Sequence, residues 1–204
     1  MPNQLSPTGL VYSRNKIGAA PTYQAQLLYI ANGYTGSAIG KGDLVQLSGV
    51  PPYVTIAPFS ATAATGLGVF ITCLPFYDVN LQATSHGGPF GSYAISAAPA
   101  AGQNVPCLVV TDPFALFRVQ LIGALPASWQ GYNANFTSGS NGAPSSNGLS
   151  TLSVTTIATT SGLPLRIEGL AGVVGGPQDP TQTNPWLEVS LNPAWAYMLQ
   201  GTGV

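Results

Sequence analysis

Glycine and proline punctuate this chain so often that no apolar stretch runs far before meeting one. The sequence holds 25 Gly and 18 Pro in 204 residues. Gly loses more backbone freedom than any other residue on entering a helix, and Pro lacks the amide donor and clashes with the preceding turn. Long helices are thereby disfavoured throughout. A membrane-spanning helix, which needs about 20 consecutive apolar residues, is excluded. The Ala-rich pieces SATAATG (60–66) and AISAAPAAG (94–102) are short and carry Ser, Thr or Pro.

Between the breaks the dominant period is two, the repeat of a strand with one face buried. In FRVQLIG (117–123), Phe117, Val119 and Leu121 point one way, Arg118 and Gln120 the other. LRIEGL (165–170) puts Leu165 and Ile167 inward, Arg166 and Glu168 outward. WLEVSL (186–191) sets Leu187, Val189 and Leu191 against Trp186, Glu188 and Ser190. DLVQL (43–47), YVTIA (53–57), GVFIT (68–72), PCLVVT (106–111) and TLSVTTI (151–157) bring the count of short β segments to about eight. Such a series, separated by turn-rich loops, predicts an all-β sandwich or barrel. Residues 26–204 read as one β domain. Residues 1–25, with Pro2, Pro7 and Pro21 and no clean alternation, read as an extended N-terminal arm. NANFTSGSNGAPSSNG (133–148) and GGPQDPTQTNP (175–185) read as long flexible loops. GKGD (40–43) reads as a tight turn in which Asp43 bonds a nearby amide, and Asp112-Pro113 as a turn opener ahead of a strand.

Charge narrows the function. Five cations (Arg14, Lys16, Lys41, Arg118, Arg166) and six anions (Asp43, Asp78, Asp112, Glu168, Asp179, Glu188) make up 5% of the chain, against roughly 25% in an ordinary globular domain. Direct nucleic-acid binding and a polybasic membrane patch both need clustered Lys and Arg, which are lacking. The start MPNQLSPTGL has no basic-then-apolar leader pattern, so a product made in the cytosol is expected. In that compartment Cys73 and Cys107 are expected as reduced, buried thiols, and whether they pair depends on whether their strands are neighbours.

Catalytic constellations are missing from the sequence. His86, the single histidine, sits in a Gly-rich loop, no G-x-S-x-G elbow occurs, and neither phosphate-binding glycine motif is present. Glu168 and Glu188 are the only glutamates, and both read as residues of a solvated strand face with Arg166 or Arg118 as cross-strand partners. One histidine and two cysteines do not make a zinc site. No enzyme, metal or cofactor is therefore expected.

A chain this poor in charge suits a subunit that spends its life against protein neighbours, because neutral surface costs less to desolvate than charged surface. The candidate contact residues are Arg14, Lys16, Ile17 and Tyr23 in the arm, with Trp129, Tyr132 and Trp186 as aromatic anchors. The alternative is a glycan-binding β-sandwich, such as a head-fibre or adhesin module, using Trp129, Tyr132 or Trp186 as a stacking groove.

The order of segments resembles a family of tailed-phage capsid decoration, or cement, proteins. The pieces are KGDLVQL (41–47), YVTIA, GLGVFITC (66–73), LVVTDPFALFRVQ (108–120), GYNANF (131–136), NGLSTLSV (147–154), PLRIEGL (164–170) and WLEVSLNPAW (186–195). The resemblance spans residues 30–195. It implies a jelly-roll-like β fold without catalytic residues. It also implies a homodimer or homotrimer on the outer surface of a virion made in a bacterial cytoplasm, with the major capsid protein as partner. The chain would bridge capsid subunits and hold the shell against the pressure of packed DNA.

Overall fold

A computed structural model describes residues 7–17, 25–48, 53–59, 66–78, 83–85, 103–142, 145–172, 179–194 and 196. The described residues are all β, with no helix. In chain order the strands are β1 (Val11–Asn15), β2 (Ala25–Ile30), β3 (Leu44–Ser48), β4 (Tyr53–Ile56), β5 (Leu67–Cys73), β6 (Phe76–Asp78), β7 (Ala83–Ser85), β8 (Val105–Val110), β9 (Ala115–Gln120), β10 (Asn133–Phe136), β11 (Val154–Ala158), β12 (Leu165–Leu170) and β13 (Trp186–Leu191). They form a six-stranded sheet in the order β1-β9-β13-β12-β10-β11, a closed barrel β2-β4-β3-β5-β8, and a small β6-β7 pair.

The barrel is built on alternation. Leu28 and Ile30 of β2, Val45 and Leu47 of β3, Val54 of β4, Phe70 and Cys73 of β5, and Cys107 and Val109 of β8 form one buried cluster. The intervening residues Leu44, Leu67, Val69 and Val110 belong to a second cluster, with Phe117 and Val119 of β9, Leu165 and Ile167 of β12, and Leu187, Val189 and Leu191 of β13. One part of the barrel wall therefore faces its own interior on one side and the open sheet on the other. That is why LGVF (67–70) is apolar without a break: a strand segment buried on both faces has no polar positions to spare. At ~25 cal/mol per Å² of apolar surface removed from water, this double burial is the main stabilising term.

Most of the ring is antiparallel. The exception is β2 against β4, which run parallel with Tyr29 opposite Tyr53 as their register pair. A bulge interrupts the β5–β8 ladder between Phe70 and Thr72. Another interrupts β1 against β9 between Tyr12 and Arg14. β1 and β11 are the two edges of the open sheet.

The loop between β10 and β11 is tied to the barrel by side chains. The Asn141 amide accepts from Leu44 N–H at 2.9 Å and donates to Leu44 O at 2.8 Å and Ala57 O at 3.0 Å. Asp43 lies beside it, fully buried. Its Oδ2 accepts from Gly40 N–H at 2.7 Å, the turn contact that GKGD predicts. Its Oδ1 accepts from Ser150 Oγ. Burial pushes the carboxyl up to about 6, although hydrogen bonds from Ser150, Gly40 and Gly142 pull the other way. Gly42 in the same turn has φ 92°, and a side chain there would press on the Leu10 backbone at 3.0 Å.

Two sequence readings change here. The segment 133–148, read as a flexible loop, begins with β10, and Ala134 and Phe136 are core residues. Glu188, read on a solvated face, is 7% exposed, and Ser190 on the same face is fully buried. Within 1–25, Val11–Asn15 pair with this chain's own β9. The rest of the 1–25 segment, apart from 7–17 and Ala25, lies outside the described residues, as does His86.

Candidate functional site

The outer face of the open sheet collects most of the molecule's charge. Its centre is Glu188 on β13. Arg14 reaches over from β1 and donates from Nη2 to Oε2 at 2.7 Å and from Nε to Oε1 at 3.1 Å. Ser13 Oγ donates to Oε1 at 2.9 Å. Arg118 of β9 stands opposite Glu188 in register. The Arg14 hydrogen bonds hold the Glu188 carboxyl below its ordinary value against the opposing pull of burial, and Ser13 and Arg118 add to the effect. Arg14 is raised in turn by its contacts with Glu188.

A second node sits one strand over. Burial raises the Glu168 carboxyl, but the combined contacts of Lys16, Ser190 and Arg166 leave it lowered. Lys16 Nζ lies 2.5 Å from Glu168 Oε1, Ser190 Oγ donates to that oxygen at 2.7 Å, and Arg166 Nε lies 3.7 Å away. The charge network is thus two clusters on one face, Arg14 and Arg118 about Glu188 and Lys16 and Arg166 about Glu168. Of the remaining charges, Asp43 and Asp112 are buried. Among the described side chains, only Lys41 and Asp179 carry exposed charge outside the network.

At the β1 edge two apolar side chains stand in solvent. Ile17 is 70% exposed and Phe114 46%. A buried polar clasp places them side by side. Asp112 Oδ2 accepts from Asn15 Nδ2 at 2.9 Å, and Asp112 Oδ1 accepts from Phe114 N–H at 2.8 Å. Asn15 Oδ1 accepts from Ile17 N–H at 3.1 Å, and Lys16 N–H donates to Phe114 O at 2.9 Å. These four bonds turn the amides of Lys16, Ile17 and Phe114 inward, and the side chains of Ile17 and Phe114 are left exposed on that base. Val11, 38% exposed, stands at the opposite end of β1. A recess of about 500 Å³ opens beside it, lined by Thr8, Leu10, Val11, Tyr12, Lys41, Ile71 and Leu149.

Of the residues singled out from sequence, Arg14, Lys16 and Ile17 come together on this edge. Tyr23 lies outside the described residues. Trp129 and Tyr132 are half-buried and pack against the sheet core, with the Tyr132 hydroxyl 2.8 Å from Ser128 Oγ. Trp129 lines a shallow recess of about 420 Å³ with Leu125, Pro126 and Pro180, whereas Tyr132 and Trp186 do not line it. Trp186 is half-buried on β13 opposite Gln120. Phe114 and the Asn15–Asp112 clasp were missed in the sequence. The signal available was Asp112-Pro113, which marks the turn but not its long-range partner. Among the described residues no group of three or more His, Cys, Asp or Glu is placed to hold a metal. Comparison with protein-family models, with curated proteins and with solved structures finds no match to this chain.

Proposed function

We propose that this chain is a non-enzymatic structural subunit, a capsid decoration protein that binds the outer surface of a tailed-phage head and bridges neighbouring capsid subunits. The jelly-roll-like kinship, the arm, the homo-oligomer and the virion location implied by the sequence resemblance belong to this proposal. The observation that carries it is the β1 edge: Ile17 and Phe114 displayed on a buried hydrogen-bonded clasp, on a surface whose charges are largely paired with one another. Exposed apolar side chains on a rigid base suit a contact, because little ordering entropy is lost when they are covered. A surface with few unpaired charges loses little on desolvation. Many copies on a lattice then multiply a modest single contact.

The test uses heads of the encoding phage assembled without this protein. Purified chain added to them co-sediments and raises their disruption temperature. Ile17→Asp combined with Phe114→Asp lowers head occupancy at least tenfold at matched concentration while the circular dichroism of the free chain is unchanged. Absence of binding by the unaltered chain, together with specific retention on a glycan array, sinks the capsid reading in favour of the glycan-binding module.

A further inference from the structure

The two cysteines meet inside the barrel. Cys73 ends β5, Cys107 lies in β8, and the antiparallel ladder sets them directly opposite one another. The kind of pairing follows from one hydrogen bond. Leu74 N–H donates to Pro106 O at 2.8 Å. Residues 74 and 106 are therefore at a hydrogen-bonded position of the ladder, and the next pair inward, 73 and 107, is at a non-hydrogen-bonded one. At such positions the Cα atoms approach to about 4.5 Å and the side chains lie closer than at the alternate positions. A disulfide accepts Cα separations of about 4.4–6.8 Å. Both side chains point into the same interior, packed among Phe70, Val105 and Val109. Both are buried free thiols.

We propose that Cys73 and Cys107 are a built site of covalent modification: an intrachain, cross-strand disulfide that forms when the chain meets a disulfide oxidant such as oxidised glutathione. The thiolate of one cysteine attacks the oxidant, a mixed disulfide forms and one glutathione leaves. The thiolate of the second cysteine attacks the protein sulfur and displaces the other glutathione. Two protein S–H groups are oxidised to one S–S bond, and one oxidised glutathione is reduced to two thiols. Burial sets the pace. Desolvation pushes the Cys73 thiol up to about 12, and Cys107 is raised by burial and further by the neighbouring Cys73. Thiolate is scarce in the closed barrel, so the reaction runs through its opening or during folding, and the finished bond is shielded from reductant. The bond closes the segment between β5 and β8 and locks one seam of the ring. This inference does not depend on the capsid reading.

The experiment refolds the full chain in mixed oxidised and reduced glutathione, traps free thiols with N-ethylmaleimide under denaturing conditions and measures the intact mass. The expected product is a monomer lighter by two hydrogens, without maleimide adducts, in which chymotryptic mapping links the Cys73 and Cys107 peptides. Its melting temperature exceeds that of the reduced chain by roughly 5–15 °C. The double variant Cys73→Ser with Cys107→Ser shows no such difference between oxidising and reducing buffers. Diamide, which accepts two electrons and two protons, is applied to the already folded chain as a second route. A natively folded monomer that carries two maleimide adducts after both treatments overturns the proposal, as do bonds formed only between chains.

Discussion

The barrel interior and the outer face of the open sheet solve the same problem by opposite means. The interior holds Ile30, Leu47, Val54, Phe70 and Val109 together with two thiols. The sheet's outer face holds Arg14, Lys16, Arg118, Arg166, Glu168 and Glu188. The first is stabilised by burial that needs no direction. The second depends on a few directional bonds, chiefly those that fasten β1 to β13 across β9. The contrast shows where a chain with eleven charged residues places them: mostly at the attachment of its edge strand, rather than spread over the surface for solubility.

That contrast can be broken from the barrel side first. Phe70→Ala removes a fully buried ring from the interior, and the expected loss is about 3–5 kcal/mol. Urea denaturation followed by tryptophan fluorescence measures it. A loss under about 1 kcal/mol would mean that the interior repacks freely, contrary to the close packing of folded cores.

The joint between the two regions gives the next largest effect. Asp43 is raised to about 6 in the folded chain from an ordinary value of 3.8. The protonated carboxyl is therefore the form that folding favours. Its contribution is fully present below about pH 4 and is lost as pH rises through about 6, a difference on the order of 2–3 kcal/mol. Glu168 and Glu188 act in the other direction. Their lowered values give stability that is present above 4.5 and is lost as pH falls below it. Between pH 4.5 and 7 stability should thus fall as pH rises. In Asp43→Asn the dependence in that window should flatten. Melting curves across the range test the sign, and an unchanged slope in the variant assigns the dependence elsewhere.

The smallest effect sharpens the comparison on the sheet side. Glu188→Gln keeps the side-chain shape but removes the charge that Arg14 grips. Because Arg14 is 63% exposed, the expected cost is only about 1–2 kcal/mol. Its distribution matters more than its size. Amide exchange should quicken in Val11–Asn15 and stay unchanged in β5 and β8. Uniform quickening across both regions would show that β1 is not separately fastened.

Strands with a clear period of two, or with an unbroken apolar run, were legible in the sequence, and eight such segments correspond to β3, β4, β5, β8, β9, β11, β12 and β13. β2 was not, because Leu27 and Tyr29 are apolar yet exposed while Leu28 and Ile30 are buried, so no alternation shows. β10 was hidden by Asn133 and Asn135, whose polar side chains read as loop. The Asn133 side chain donates to Thr160 O, and Asn135 Oδ1 accepts from Phe136 N–H. Which strands close a ring and which stay open depends on pairings between distant segments, and no local pattern encodes them. The site was half legible. Ile17 was among the candidate contact residues of the arm, but Phe114 joins it only through Asn15 and Asp112, 97 positions apart. The burial of Glu188 was invisible for the same reason, since its cover comes from Arg14, 174 positions away.

The bulge in β1 has a consequence for crowding. An open sheet edge is a template on which another chain can add a strand. Between Tyr12 and Arg14 the ladder loses step, so an incoming straight strand could not follow it for long. A domain with this little charge can therefore be packed at high density without its β1 edge seeding fibres.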